Sequence, residues 1–275
     1  MCLQYAKVKQ ILRQNYQYIK ECYYELQYNS VYPFINKIEL SSFAEKAKLI
    51  DERLNMANCD LLFVSTNTQQ KGGIKQKTGL IRCEFLEYLT RVSNFKYVQT
   101  GVVKTINEAL KIVIEDYLKP NFHPLPWQAF RDEELWTIDV NDVFETNLDG
   151  IQKLHQAYFT PTQKYMSDKD ALNLMTKDAT LNLTNVQAKY CLSFCKMPIK
   201  DEIAEFDKYY KLQPVELMEM IGRAAKVKFV NSDYEDEPLA RKIEMILDML
   251  FPLIKFKRRE VAANNESESA SDDDY

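Results

Sequence analysis

Apolar residues recur along this chain at steps of three and four. Near the N-terminus Val8, Ile11, Leu12, Tyr18, Ile19, Cys22, Tyr23 and Leu26 fall on one side of a helix, and Asn15 is the polar residue that interrupts the stripe. The same period predicts helices over 42–55, 57–65, 81–96, 105–118, 139–159, 167–176, 184–196, 213–228 and 238–251. Ser42 with Glu45, Thr105 with Glu108 and Thr184 with Gln187 have the spacing of capping boxes, and Pro238 suits a first helical turn. No segment alternates as a half-buried strand does, so the expected fold class is all-α. On 139–159 the stripe runs through Val140, Val143, Phe144, Leu148, Ile151, Leu154 and Tyr158, which predicts one long helix bridging two halves of the molecule.

The pattern also repeats. "CEFLEYLTRVSNFKY" at 83–97 returns as "VELMEMIGRAAKVKF" at 215–229, pairing Glu84 with Glu216, Glu87 with Glu219, Arg91 with Arg223 and Lys96 with Lys228. At the same offset Cys59 pairs with Cys191, Leu80 with Leu212, Ile114 with Ile246 and Pro120 with Pro252. The buried faces expected for the two signature helices are Phe85, Leu86, Leu89 and Val92 in the first and Leu217, Met218, Ile221 and Ala224 in the second. Glu87 with Arg91 and Glu219 with Arg223 stand at i,i+4, the spacing of a helix-surface ion pair worth about 0.2–0.5 kcal/mol. The implied organisation is an N-terminal amphipathic helix and connector (1–39), a first unit (40–120), a Trp/Pro-rich linker with the bridging helix (121–164), a second unit (165–254), and a basic cluster with an acidic tail (255–275).

With 46% apolar and 12% aromatic residues the 275-residue chain can fill real cores. Only six Gly and nine Pro argue against an all-β fold or a Gly-rich nucleotide-binding loop. The formal charge of −4 is set by the last sixteen residues, which hold six acids and no base; without them 36 basic residues face 34 acidic ones. A near-neutral body carries no strong nucleic-acid footprint. The tail has too little apolar surface to offset the entropy of ordering and is expected to be disordered, with Ser269 and Ser271, each three residues before an Asp, as candidate phosphosites. The first twenty residues mix charges into every turn and predict neither a signal peptide nor a membrane span, which places the protein in the cytoplasm.

Catalytic chemistry has little to work with. His123 and His155 are the only histidines, and no phosphate loop, nucleophile elbow or zinc helix motif is present, so no enzyme activity is expected. Cys191 and Cys195 share a helix face, but without a second pair they read as small buried apolar residues, and no cofactor or metal is expected. "KFKRR" at 255–259 is a basic cluster beside the acidic tail, which suggests mutual solvation first and contact with an acidic partner such as a tubulin tail second.

One twelve-residue stretch of the second unit, "EFDKYYKLQPVE" from Glu205 to Glu216, has acids at positions one and three, an aliphatic at eight and Glu at twelve, which is the skeleton of a calcium loop. With "LQPVELMEMIGRAA" after it, and with "LIRCEFLEYLTRVSNFKY" in the first unit, the chain resembles degenerate EF-hand-like helical repeat proteins of protist cilia and flagella. The departures lie at the turn and at the ligands. Tyr210 stands where Gly permits the sharp turn, Pro214 stiffens position ten, and Gly73, Lys75 and Lys77 stand at ligand positions of the first unit. Glu205, Asp207 and Glu216 are thus the only calcium candidates, with Glu84 and Glu216 otherwise structural at helix starts. The resemblance implies a non-catalytic scaffold or docking protein of the axoneme or cytoskeleton. Its calcium-less apolar grooves would hold partner helices, and its partners would be axonemal or microtubule-associated proteins rather than nucleic acid or membrane. The alternative is a weak calcium sensor or regulatory subunit of a partner enzyme.

Overall fold

The computed structural model describes residues 2–67, 79–177 and 181–257, and these are mostly helical. Helix α1 (Cys2–Gln14) gives way to α2 (Tyr16–Asn29) at Asn15. There the side-chain amide donates to the Ile11 carbonyl at 3.1 Å, the local competition by which a short amide side chain breaks a helix. Val8, Ile11 and Leu12 pack against the first core, so the N-terminal stripe is covered by the chain itself.

The cap of helix α3 (Lys37–Lys46) lies six residues before the one expected at Ser42. Asn36 is the cap, accepting from the Glu39 amide at 2.9 Å, because Ile35 is pinned in an antiparallel bridge to Leu80 that holds the chain extended just before it. A Cβ on Gly79 would lie 2.2 Å from the Ile35 carbonyl oxygen, so this bridge needs glycine beside it. Helix α4 (Met56–Thr66) carries an Asn55–Asn58 capping box. Helix α5 (Arg82–Ser93) runs on through a π turn over 94–98, and α6 (Ile106–Ile112), capped by Thr105, continues through another over 113–118. The Pro/Trp segment then forms single turns α7 (Lys119–Asn121) and α8 (Trp127–Ala129) and a π turn over 130–135.

The single helix expected over 139–159 is two, α9 (Ile138–Thr146) and α10 (Leu148–Gln156), divided where the Asn147 side chain donates to the Val143 carbonyl at 2.7 Å. Helices α11 (Asp168–Thr176), α12 (Asn185–Cys195), α13 (Pro214–Lys228) and α14 (Leu239–Leu250) complete the described fold. Two strands of two residues, β1 (Met166–Ser167) and β2 (Lys211–Leu212), pair antiparallel in the register Met166 to Leu212. They are too short to leave an alternating pattern in the sequence.

Each half therefore has a helix, a loop and a helix set beside a second such unit by one short antiparallel contact: α2–α3 with α4–α5 through Ile35 and Leu80, and α10–α11 with α12–α13 through Met166 and Leu212. The stripes of the signature helices are covered within the chain. α6 packs on α5, and α14 packs on α13 with Ile243, Ile246, Leu247 and Leu250 fully buried. The two cores meet along α2 and α12, where Phe194 of α12 belongs to the first core. Tyr28 lies 5.9 Å from Tyr190 and 5.6 Å from Phe194, and Phe34 stacks on Phe206 at 5.7 Å. Aromatic pairs at these separations add about 0.5–1.5 kcal/mol each beyond the area they bury.

Candidate functional site

The residues shared by the two signature helices occupy equivalent places, with one exception. Glu84 accepts from the Ile81 amide at 3.0 Å, and Glu216 accepts from the Gln213 amide at 2.8 Å, so each carboxylate caps the start of its own helix three residues back. Lys96, fully buried, donates to the Leu49 carbonyl at 2.5 Å and pairs with Asp51 at 2.8 Å. Lys228 donates to the Leu181 carbonyl at 2.7 Å, and Leu49 and Leu181 stand at the same offset as the two lysines. In both halves, then, the lysine at the end of the signature helix ties down the loop behind the preceding helix.

The exception is the Glu–Arg pair. Glu87 and Arg91 lie on the surface, with side chains 48% and 42% exposed. Glu219 and Arg223 do not form the surface pair expected from their spacing, because the Pro/Trp segment folds over them. Arg131 donates through Nε to both Glu219 oxygens at 2.9 and 2.8 Å, and Arg223 Nε donates to Oε1 at 2.9 Å. Arg223 also donates to the Trp127 carbonyl at 3.0 Å, and its guanidinium stands 4.7 Å from the Phe130 ring centre. Burial pushes the Glu219 carboxyl up, opposed by both guanidiniums.

The calcium candidates are not brought together. Glu205, half-buried, precedes a 3₁₀ turn over 206–210 and pairs with Lys208 at 2.5 Å, and Asp207, exposed on that turn, pairs with Lys211. Glu216 is buried, and its oxygens serve Gln213, the Met197 amide at 2.7 Å and the Lys196 ammonium at 3.1 Å. Among the described residues no three acidic, His or Cys side chains gather as metal ligands. Gly73, Lys75, Lys77, Ser269 and Ser271 lie outside the described residues.

Sequence reasoning missed the residues that organise the loops. Lys196 is only 3% exposed. Besides Glu216 it donates to the Lys211 carbonyl at 2.8 Å and faces Asp168 at 3.6 Å. Burial pushes the Asp168 carboxyl up to about 6, Lys196 opposing and Glu216 adding to the shift. Glu202 of the second half accepts from the Arg82 amide at 3.2 Å and the Cys83 amide at 2.8 Å, capping α5 of the first half, and also accepts from the Tyr209 hydroxyl. Lysine at the end of a helix and Glu in a polar loop are ordinary in sequence; only the tertiary fold makes them partners. Three further chemistry-bearing groups are buried in the second half. His155 Nε2 meets the Leu212 carbonyl at 2.8 Å, and burial pushes the Cys191 thiol up to about 12 and that of Cys195 up as well. No helix among the described residues is long and apolar enough to cross a membrane.

Family models, curated proteins and solved structures give no match to this chain.

Proposed function

We propose that this chain is a non-catalytic scaffold or docking protein. In this reading it consists of two EF-hand-like lobes, each a pair of helix–loop–helix units, duplicated in sequence and held in one state without calcium. The observation that carries it is the fate of the position-twelve carboxylates. Glu84 and Glu216 cap their own helices, and Glu216 is further held by a lysine ammonium and a loop amide, so the charge that would bind an ion is used by the protein. A sensor would need Glu205, Asp207 and Glu216 around one ion, and the first two are paired with lysines of their own.

The stripes of α5 and α13, expected as grooves for partner helices, are filled by α6 and α14, so a partner meets the outside of the molecule. There Ile38 of α3 and Leu61 and Val64 of α4 are 75%, 68% and 63% exposed on helices that pack together, an apolar surface suited to the apolar face of a partner helix. Placement in an axoneme or cytoskeleton rests on the sequence resemblance alone.

The test is calcium titration of the intact chain joined to affinity capture. The expected result is no saturable heat and no change in melting temperature in calcium. Captured axonemal or tubulin partners should be lost with Leu61→Asp at unchanged melting temperature. A stoichiometric calcium isotherm abolished by Glu216→Gln, or capture of a kinase or phosphatase released by calcium, would replace the scaffold with a sensor.

A further inference from the structure

We propose that the Lys196 ammonium is the resident cation of the second lobe's paired loops, a tethered charge standing where a divalent ion would otherwise join them. The inference deepens the calcium-free reading above and rests on it.

Lys196 follows the last residue of α12, and its side chain turns inward between the two loops. An ammonium has three donors and no acceptor. Two of them are donated to the Lys211 carbonyl in β2 at 2.8 Å and to Glu216 Oε2 at the head of α13 at 3.1 Å, while Asp168 Oδ1 at the head of α11 faces the charge at 3.6 Å, beyond hydrogen-bond distance. Asp168 directly follows β1, so one charge links both loops beside the Met166–Leu212 pairing.

The second observation is what this charge leaves unsatisfied. Asp168 is 9% exposed, and neither carboxyl oxygen has a hydrogen-bond partner. A buried carboxylate without a donor is costly. Two carboxylates therefore face a single positive charge, and the carbonyl beside them offers a third oxygen. An all-oxygen set of that charge is the donor chemistry of a hard divalent cation such as calcium. Lysine neutralises half of it, and its four-carbon tether keeps the cation at hand, with no ion to recruit or release. The Met197 amide on the other Glu216 oxygen, at 2.7 Å, holds that carboxylate toward the site.

The experiment removes the tether in the full-length chain. Lys196→Ala deletes the ammonium and opens space beside Glu216 and Asp168. The variant is expected to melt lower than the parent in chelator and to recover in calcium, with a one-to-one isotherm complete by about 10 mM, above the weakest extracellular calcium modules. Adding Glu216→Gln to Lys196→Ala should abolish the isotherm, while magnesium, which demands stricter octahedral geometry, should restore less. A folded Lys196→Ala indifferent to calcium would overturn the proposal, as would an unfolded one that calcium does not refold. Either result leaves the calcium-free reading of the parent standing. Calcium binding by the parent chain would defeat that reading instead, so the two failures are distinguishable.

Discussion

Glu219→Gln separates the two copies of the signature helix. The substitution keeps the shape of the side chain and removes its charge, leaving the guanidiniums of Arg131 and Arg223 buried with no counter-ion; the three side chains are 0%, 8% and 1% exposed. Arg223 already has one Nη without a partner, so the site has no spare acceptor to offer. Removing one member of a buried ion pair costs about 3–5 kcal/mol, because the charge left behind has neither water nor partner. At about 2–4 °C per kcal/mol for chains near this size, the melting temperature should fall by roughly 6–20 °C. The equivalent change in the first copy, Glu87→Gln, breaks a half-exposed pair and should cost about 0.2–0.5 kcal/mol. Urea unfolding followed by tryptophan fluorescence suits the comparison, since Arg131 stands 4.7 Å from the Trp127 ring centre and Arg223 binds its carbonyl. Equal and small effects for the two substitutions would refute the argument that folding of the Pro/Trp segment converted a surface pair into a buried one.

Trp127→Ala should cost about 3–5 kcal/mol, since the indole is 2% exposed, whereas Trp136→Ala, at 39% exposure, should cost far less; equal losses in denaturant would contradict the assigned burial. Asp168→Asn should flatten a pH dependence. The folded carboxyl titrates near 6 against an ordinary 3.8, so the native state holds the extra proton between these values and stability falls as pH rises through that window. That difference corresponds to about 3 kcal/mol at most, at 1.36 kcal/mol per unit. The variant, which leaves Lys196 and Glu216 as a balanced pair, should lose this slope in melting curves from pH 4 to 7.5; an unchanged slope would count against it. Glu202→Ala removes the cap of α5, worth about 0.5–2 kcal/mol, and should raise hydrogen exchange at Arg82 and Cys83 first; protection unchanged there would refute the cross-lobe cap.

Helices were legible where one stripe met one cap. Thr105, Thr184 and Pro238 mark real starts, and the runs near 57–65, 81–96 and 213–228 fall within two residues of α4, of α5 with its π turn, and of α13. The misses have both distant and local causes. Ser42 has a competent sequence for a cap, yet the Ile35–Leu80 bridge fixes the start of α3 at Asn36. Asn147 has the same three-four neighbours as any helical residue, and only its bond back to Val143 reveals the break. The two tryptophans of the linker look alike in sequence, but the turn over 130–135 buries Phe130 and Leu135 and leaves the Trp136 indole at the rim while Trp127 is enclosed. Of the signature residues, the spacing predicted that Glu84, Lys96, Glu216 and Lys228 matter without saying to what. Each has a backbone partner, which carries no mark in a sequence, and the added side-chain partners Asp51 and Lys196 lie outside the repeat signature.

The way the halves are joined bears on what such a protein can do. A linker would let two lobes move independently, as domains with small polar interfaces do. Here the second lobe's loop supplies the acid that caps a first-lobe helix, Arg82 of the first lobe donates to the Ile199 carbonyl of that same loop, and Tyr32 donates to the Tyr209 carbonyl at 3.2 Å. Breaking the lobes apart would leave the α5 amides and a buried carboxylate without partners at once, a cost set by desolvation rather than by the strength of any one bond. The loop that in a sensor would rearrange around an ion is thus the loop that fastens the lobes. A switch at Glu216 would have to work against the Glu202 cap fourteen residues earlier. The loop's carboxylates are already committed to contacts within the molecule, Glu202 across the lobes and Glu216 on the Met197 amide, and the proposed scaffold reading rests on that commitment.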